Sequence, residues 1–130
     1  MMRPAIALVL LAACGGPRQP ATKRPNSELI VGEFERHPPD GTTAARFGAD
    51  GSVIIAHTRA ELDSKTLATG TYALDKDRLT LDYSSGEMCK GQGPGVYRVV
   101  ISRIGIRFTR VSDRCDQRSK LDGQTWFRVR

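Results

Sequence analysis

From about Glu28 onward, apolar and polar residues alternate in short runs separated by turn residues, the period of strands with one buried face. Leu29–Arg36 is the first run. Thr43–Phe47 and Val53–Thr58 flank Ala49-Asp50-Gly51-Ser52, whose Asp-Gly pair is a strong hairpin signal. Thr69–Leu74 and Leu79–Tyr83 flank Asp75-Lys76-Asp77-Arg78. Here Tyr72 and Leu74 share one face, and so do Leu79, Leu81 and Tyr83, while Thr71, Arg78, Thr80 and Asp82 point the other way. Gly95–Ile101 and Ile106–Val111 flank Ser102 to Gly105, placing Tyr97, Val99 and Ile101 opposite Ile106 and Phe108, with Arg98 and Arg107 outside. Thr125–Val129 is the last run. Ser112 to Gly123 is polar and accommodates a short helix carrying Cys115 and Leu121. Eight strands in consecutive hairpins with one apolar face predict an all-β fold, a single eight-stranded antiparallel up-and-down barrel. Closing the sheet on itself buries that face and removes both edges.

The inward positions would then include Leu74, Leu79, Val99, Ile101 and Ile106, together with every aromatic residue except Phe127. Such an interior is either filled by its own side chains or holds one small ligand. The candidate ligand-lining set is Phe34, Phe47, Tyr72, Leu81, Tyr83, Tyr97, Phe108 and Trp126.

The N-terminus has a different pattern. Met1 to Ala13 carries one cation, Arg3, then Ala5-Ile6-Ala7-Leu8-Val9-Leu10-Leu11, then small residues, the layout of a secretory signal. The run is too short to cross a bilayer as a helix, which takes about 20 residues. Leu11-Ala12-Ala13-Cys14-Gly15 resembles the lipobox of bacterial lipoproteins. That resemblance implies a signal peptide over 1–13, acylation of Cys14 and a stable membrane anchor built from several acyl chains. With Gly15 rather than Asp after the cysteine, it points to an outer membrane facing the periplasm, with the cell surface as the alternative. Residues 15–27 hold three prolines, three cations and little to bury, so 14–27 reads as a tether and 28–130 as one small domain.

The chain has three cysteines, Cys14, Cys89 and Cys115. If Cys14 is lipidated, Cys89 and Cys115 remain as a pair in an oxidising compartment. The rival use is a metal site with His37 or His57, but no Cys-x-x-Cys or His-x₃-His spacing supports one. Losing Arg3 leaves a formal side-chain charge of 19 − 14 = +5, and residues 81–130 hold ten cations against five acids. This asymmetry is either a solvated face or a match for an anionic surface or acidic partner. Nucleic acid is not expected, because no aromatic platform is interleaved with the cations. No catalytic motif, metal motif or cofactor loop is present, and Lys90 to Gly95 is a Gly-rich loop with Pro94 inside it. The chain is therefore not expected to be an enzyme.

Four stretches in order resemble the lipocalin-like small β-barrels, and short bacterial lipoproteins of that type in particular. Leu29-Ile30-Val31-Gly32-Glu33-Phe34 is similar to the opening Gly-x-Trp strand, with Phe34 in place of Trp. Gly70-Thr71-Tyr72 with Leu79-Thr80-Leu81 is similar to the central hairpin. Cys89, Tyr97, Asp113 and Cys115 follow a cysteine-bridged pattern, and Trp126-Phe127-Arg128-Val129 closes it. The resemblance implies that Arg128 covers Phe34. It also implies a non-enzymatic, membrane-anchored barrel that is structural or weakly binds a small apolar ligand. The competing function is a periplasmic protein-interaction module, such as a protease or lysozyme inhibitor. Ser85-Gly86-Glu87-Met88-Cys89 lacks the Tyr of the Ser-Gly-x-x-Tyr motif of c-type lysozyme inhibitors.

Overall fold

Alternation resolves into a closed meander. The structure, a computed structural model, describes residues 24–37 and 41–129. The elements are α1 (Asn26–Leu29), β1 (Gly32–Arg36), β2 (Thr43–Phe47), β3 (Ser52–Ala56), a 3₁₀ turn (Ala60–Asp63), β4 (Thr66–Asp75), β5 (Arg78–Ser85), β6 (Gly95–Ile101), β7 (Gly105–Ser112), α2 (Asp116–Ser119) and β8 (Thr125–Arg128). Each strand pairs antiparallel with its neighbour in sequence, and β8 closes on β1 through Phe34 opposite Arg128 and Glu35 opposite Phe127. The barrel has the predicted strand count and order. The expected signal peptide over 1–13, Cys14 and most of the expected tether over 14–27 lie outside the described residues.

The strand faces follow the alternation. Tyr97, Val99 and Ile101 point inward and meet Phe108 and Ile106 in register, while Arg98 and Arg107 stay outside. Phe34, Val53, Leu79, Ile101 and Ile106 are fully buried and fill one half of the barrel. At this end lie the short β2–β3, β4–β5 and β6–β7 turns, and α1 closes it. Asn26 Nδ2 donates to the Lys76 carbonyl in the β4–β5 turn at 2.9 Å. Arg128 lies over the Phe34 ring at 4.7 Å, as expected. Its guanidinium donates to the carbonyls of Leu29, Val31, Ser102 and Arg103, tying α1 to the β6–β7 turn. We call this the closed end. The longer connections gather at the opposite, open end.

Two local departures have physical causes. Leu29-Ile30-Val31 is not the start of a strand. It follows Pro25 into one helical turn, and Leu29 and Ile30 bury against the barrel floor. Three consecutive apolar residues suit a plug sealed on several sides better than a strand with one wet face. The 3₁₀ turn Ala60–Asp63 was not anticipated. Leu62, only 2% exposed, packs on the outer face of the barrel against Ala44 and Ala56, whose small side chains leave room for it.

Candidate functional site: a half-empty barrel with a buried arginine

The open half of the barrel is not filled. A cavity of about 390 Å³ opens there. Its apolar wall comes from Ala45 and Phe47 of β2, Ile55 of β3, Leu81 of β5, Phe108 of β7 and Trp126 of β8. Alternation along each strand turns these side chains inward, and edge-to-face contacts hold the rings: Phe47 to Phe34 at 5.9 Å, Phe108 to Trp126 at 6.1 Å and Phe108 to Tyr97 at 6.2 Å. Polar residues Arg36, His57, Glu87, Gln117 and Lys120 surround the mouth.

Of the candidate ligand-lining residues, Phe47, Leu81, Tyr83, Phe108 and Trp126 border the cavity. Phe34 and Tyr97 are fully buried and do not. Tyr72 points toward the closed end, where its hydroxyl donates to the Gly48 carbonyl at 2.7 Å. The interior therefore combines both expected states, a packed lower half and an open upper half.

Arg118 of α2 also borders the cavity, and it is the largest fully buried side chain among the described residues. Its Nε donates to Asp113 Oδ2 at 2.6 Å and its Nη2 to Asp113 Oδ1 at 2.8 Å, a bidentate pair with both side chains fully out of solvent. Nη2 also donates to the Gly93 carbonyl at 2.7 Å. The Tyr97 hydroxyl donates to Asp113 and lies 2.9 Å from the Arg118 carbonyl. The guanidinium stands over the Tyr83 ring at 4.9 Å. Nη1 is buried with no hydrogen-bond partner.

The electrostatics follow from this enclosure. Burial pushes the Asp113 carboxyl up, but hydrogen bonds from Arg118, Tyr97 and the Cys115 amide outweigh it and hold the group below its ordinary value. Burial disfavours the Arg118 charge too, and the Asp113 hydrogen bonds more than compensate, so its affinity for the proton is raised. Burial pushes the Tyr83 and Tyr97 hydroxyls up, with Asp113 adding to the effect on Tyr97, so both stay neutral donors.

Two features position the pair. Cys89 and Cys115 are disulfide-bonded, strapping the β5–β6 loop to the β7–β8 connection. Cys115 caps α2, its Sγ accepting from the Arg118 amide at 3.3 Å. Bonded to each other, these cysteines offer no thiolate to a metal, and among the described residues no three His, Cys, Asp or Glu side chains converge. Gly95 makes the second provision, because a Cβ there would collide with the Asp113 carboxylate and Arg118 Nε.

The sequence does not single out this pair. Asp113 entered only through resemblance, and Arg118 counted among the cations of the basic half. Two of those ten cations do other work: Arg118 is internal and Arg128 seals the closed end. Comparison with protein families, with curated proteins and with solved structures finds no match.

Proposed function

We propose that this is an exported, non-enzymatic lipoprotein, anchored through acylated Cys14 at an outer membrane facing the periplasm, whose lipocalin-like barrel binds a small apolar ligand. The carrying observation is the cavity of about 390 Å³ with its aromatic and aliphatic wall, within the size range of small-molecule sites. Keeping it open has a cost. Each large apolar side chain fully buried would add about 1.5–3 kcal/mol of stability, and this domain forgoes that in its upper half. Cysteine use supports the anchor, since Cys89 and Cys115 consume each other and leave Cys14 free for lipid. The tether would join the domain at α1, on the closed end, so the mouth would face away from the bilayer. Among the described residues no helix is long and apolar enough to cross a membrane.

One observation favours the second reading, a protein-interaction module. Val100, Ile104 and Phe127 are exposed around the β6–β7 turn and the adjoining end of β8, with Ile104 71% and Phe127 53% accessible.

Native mass spectrometry of the protein purified from its membrane decides between the readings. A stoichiometric apolar molecule that is lost from Ala45→Leu, which narrows the cavity, supports the carrier. A folded, ligand-free protein that also ignores apolar probes overturns it and turns attention to protein partners. The same spectrum tests the anchor, since an unacylated N-terminus away from Cys14 refutes lipidation.

A further inference from the structure

The cavity is apolar on most of its wall, but one stretch of that wall is built from groups that donate hydrogen bonds. We propose that the barrel selects an amphiphile with a carboxylate head, received by Arg118 Nη1 beside α2, with its tail against Phe47, Ile55, Phe108 and Trp126. The proposal rests on the ligand-binding reading above and names the class of ligand.

Geometry comes first. A guanidinium is planar and carries five N–H donors in a fixed fork. Asp113 occupies the Nε/Nη2 edge completely. Gly93 takes a further Nη2 hydrogen. Nη1 lies across the fork from the carboxylate, with two hydrogens and no acceptor among the described residues. Leaving a buried donor unsatisfied costs about 1–3 kcal/mol, and more for a charged group. Arg118 and the Tyr83 ring beneath it both border the cavity, and Nη1 itself is covered, so a head group in the cavity reaches it by displacing the side chains over it.

The surroundings then select the acceptor's charge. Arg36, Arg118 and Lys120 border the cavity against Glu87, and Asp113 stands behind Arg118. A guanidinium nitrogen left without an acceptor among the described residues favours an anionic head over a cationic one. Gln117 adds a neutral donor. Its Oε1 accepts from the Cys89 amide at 3.4 Å, and its side-chain NH₂ has no acceptor among the described residues. A carboxylate has two acceptor oxygens in one plane, suited to Nη1 on one side and a donor from Gln117 or Lys120 on the other.

The volume sets the tail. At about 30 Å³ per water-sized unit, a cavity of about 390 Å³ holds roughly a dozen non-hydrogen atoms. That matches a medium-chain alkanoate, with the head at the α2 wall and the chain reaching the rings of Phe47, Phe108 and Trp126.

The test uses isothermal titration of residues 14–130 carrying Cys14→Ser, with the Cys89–Cys115 bridge formed. Decanoate, decan-1-ol and decyltrimethylammonium share one tail and differ in the head. Decanoate is expected to bind about tenfold or more tighter than decan-1-ol, the scale of one charge-assisted hydrogen bond in a dry site, with the cation weakest. Equal binding of acid and alcohol overturns the carboxylate assignment and leaves the apolar cavity reading standing. Failure of all three to bind overturns the cavity reading and this inference with it. Arg118→Lys keeps a cation but removes Nη1, so decanoate should lose its advantage while decan-1-ol binds as before. A folded Arg118→Lys protein that keeps the full preference overturns the role of Nη1. If that variant does not fold, the wild-type ligand series still decides.

Discussion

Arg128 at the closed end and Arg118 at the open end each bury a guanidinium against an aromatic ring, Phe34 at 4.7 Å and Tyr83 at 4.9 Å. Their partners differ. All three Arg128 nitrogens meet backbone carbonyls and nothing negatively charged among the described residues, and burial lowers its proton affinity. Arg118 meets a carboxylate that raises its proton affinity in spite of burial, and it keeps one nitrogen unpaired. The closed end is complete as structure, with each of its three arginine nitrogens served by at least one chain carbonyl. The open end is closed electrostatically but not sterically. One barrel thus uses the same side chain as a latch and as the wall of a site.

The largest expected effect comes from breaking the open-end pair. Asp113→Ala strands the Arg118 charge in a buried site and should cost about 3–5 kcal/mol in denaturant unfolding. Replacing both partners, as Asp113→Leu with Arg118→Met, should recover most of that loss. Recovery would show that the pair is kept for something other than stability. A double variant as weak as Asp113→Ala would mean that the Asp113–Arg118 pair, the plug of the open end, is required by the fold. Acid offers a check without mutation. Asp113 has a folded value below its unfolded 3.8, so its contribution is present above that pH and fades as pH falls through the depressed folded value. The acid limb of the unfolding curve should flatten in the double variant.

Removing the bridge comes next. Cys89 and Cys115 close a 27-residue loop (115 − 89 + 1), which in the chain-entropy model is worth about 3.5 kcal/mol. Cys89→Ala/Cys115→Ala should lose that stability and, because Cys115 caps α2, also weaken binding of apolar ligands at the open end. Arg128→Met should cost less, about 1–3 kcal/mol, since it leaves several half-buried carbonyls without their donor. Its effect should remain local: faster hydrogen exchange in α1 and the β6–β7 turn, with ligand affinity unchanged. Equal loss of affinity in the Arg128 variant would dissolve the distinction between the ends.

The two ends were unequally legible in the sequence. Alternation showed the strands because a half-buried sheet imposes a period of two on every strand, as in Tyr97-Arg98-Val99-Val100-Ile101. The latch was legible only through the resemblance to lipocalin-like barrels, and the register sets Phe34 opposite Arg128 at the closing seam. The plug was not. Asp113 and Arg118 lie in a polar stretch without periodicity, and a buried arginine looks like any surface arginine until its partners are known. Its room depends on Gly95, distant in sequence, and its placement on a helix of four residues. The split between filled and empty halves was also hidden, since alternation tells which side chains point inward but not how far neighbouring strands bring them together.

The smallest effect is expected on the outer wall, where Glu33 accepts from Arg46 Nε at 2.8 Å and Arg59 Nε at 2.9 Å. The Arg59 hydrogen bond leads in holding the Glu33 carboxyl below its ordinary value, against the opposing effect of burial. This group too contributes above its unfolded value of 4.5 and loses its contribution as pH falls through the lower folded one. Yet both arginines are partly solvated, with side chains 31% and 47% exposed, so Glu33→Gln should cost only about 0.2–1 kcal/mol. Salt separates this pair from the interior one. Raising ionic strength should erase most of the Glu33 contribution, because the pair sits in water and a Debye length is about 3 Å at 1 M. The Asp113–Arg118 contribution should be nearly unchanged, since bulk salt screens a pair with no exposed surface only weakly. Salt-sensitive unfolding that tracks Asp113 rather than Glu33 would mean that water enters the open end as far as the plug, and the dry site invoked for ligand selection would not exist.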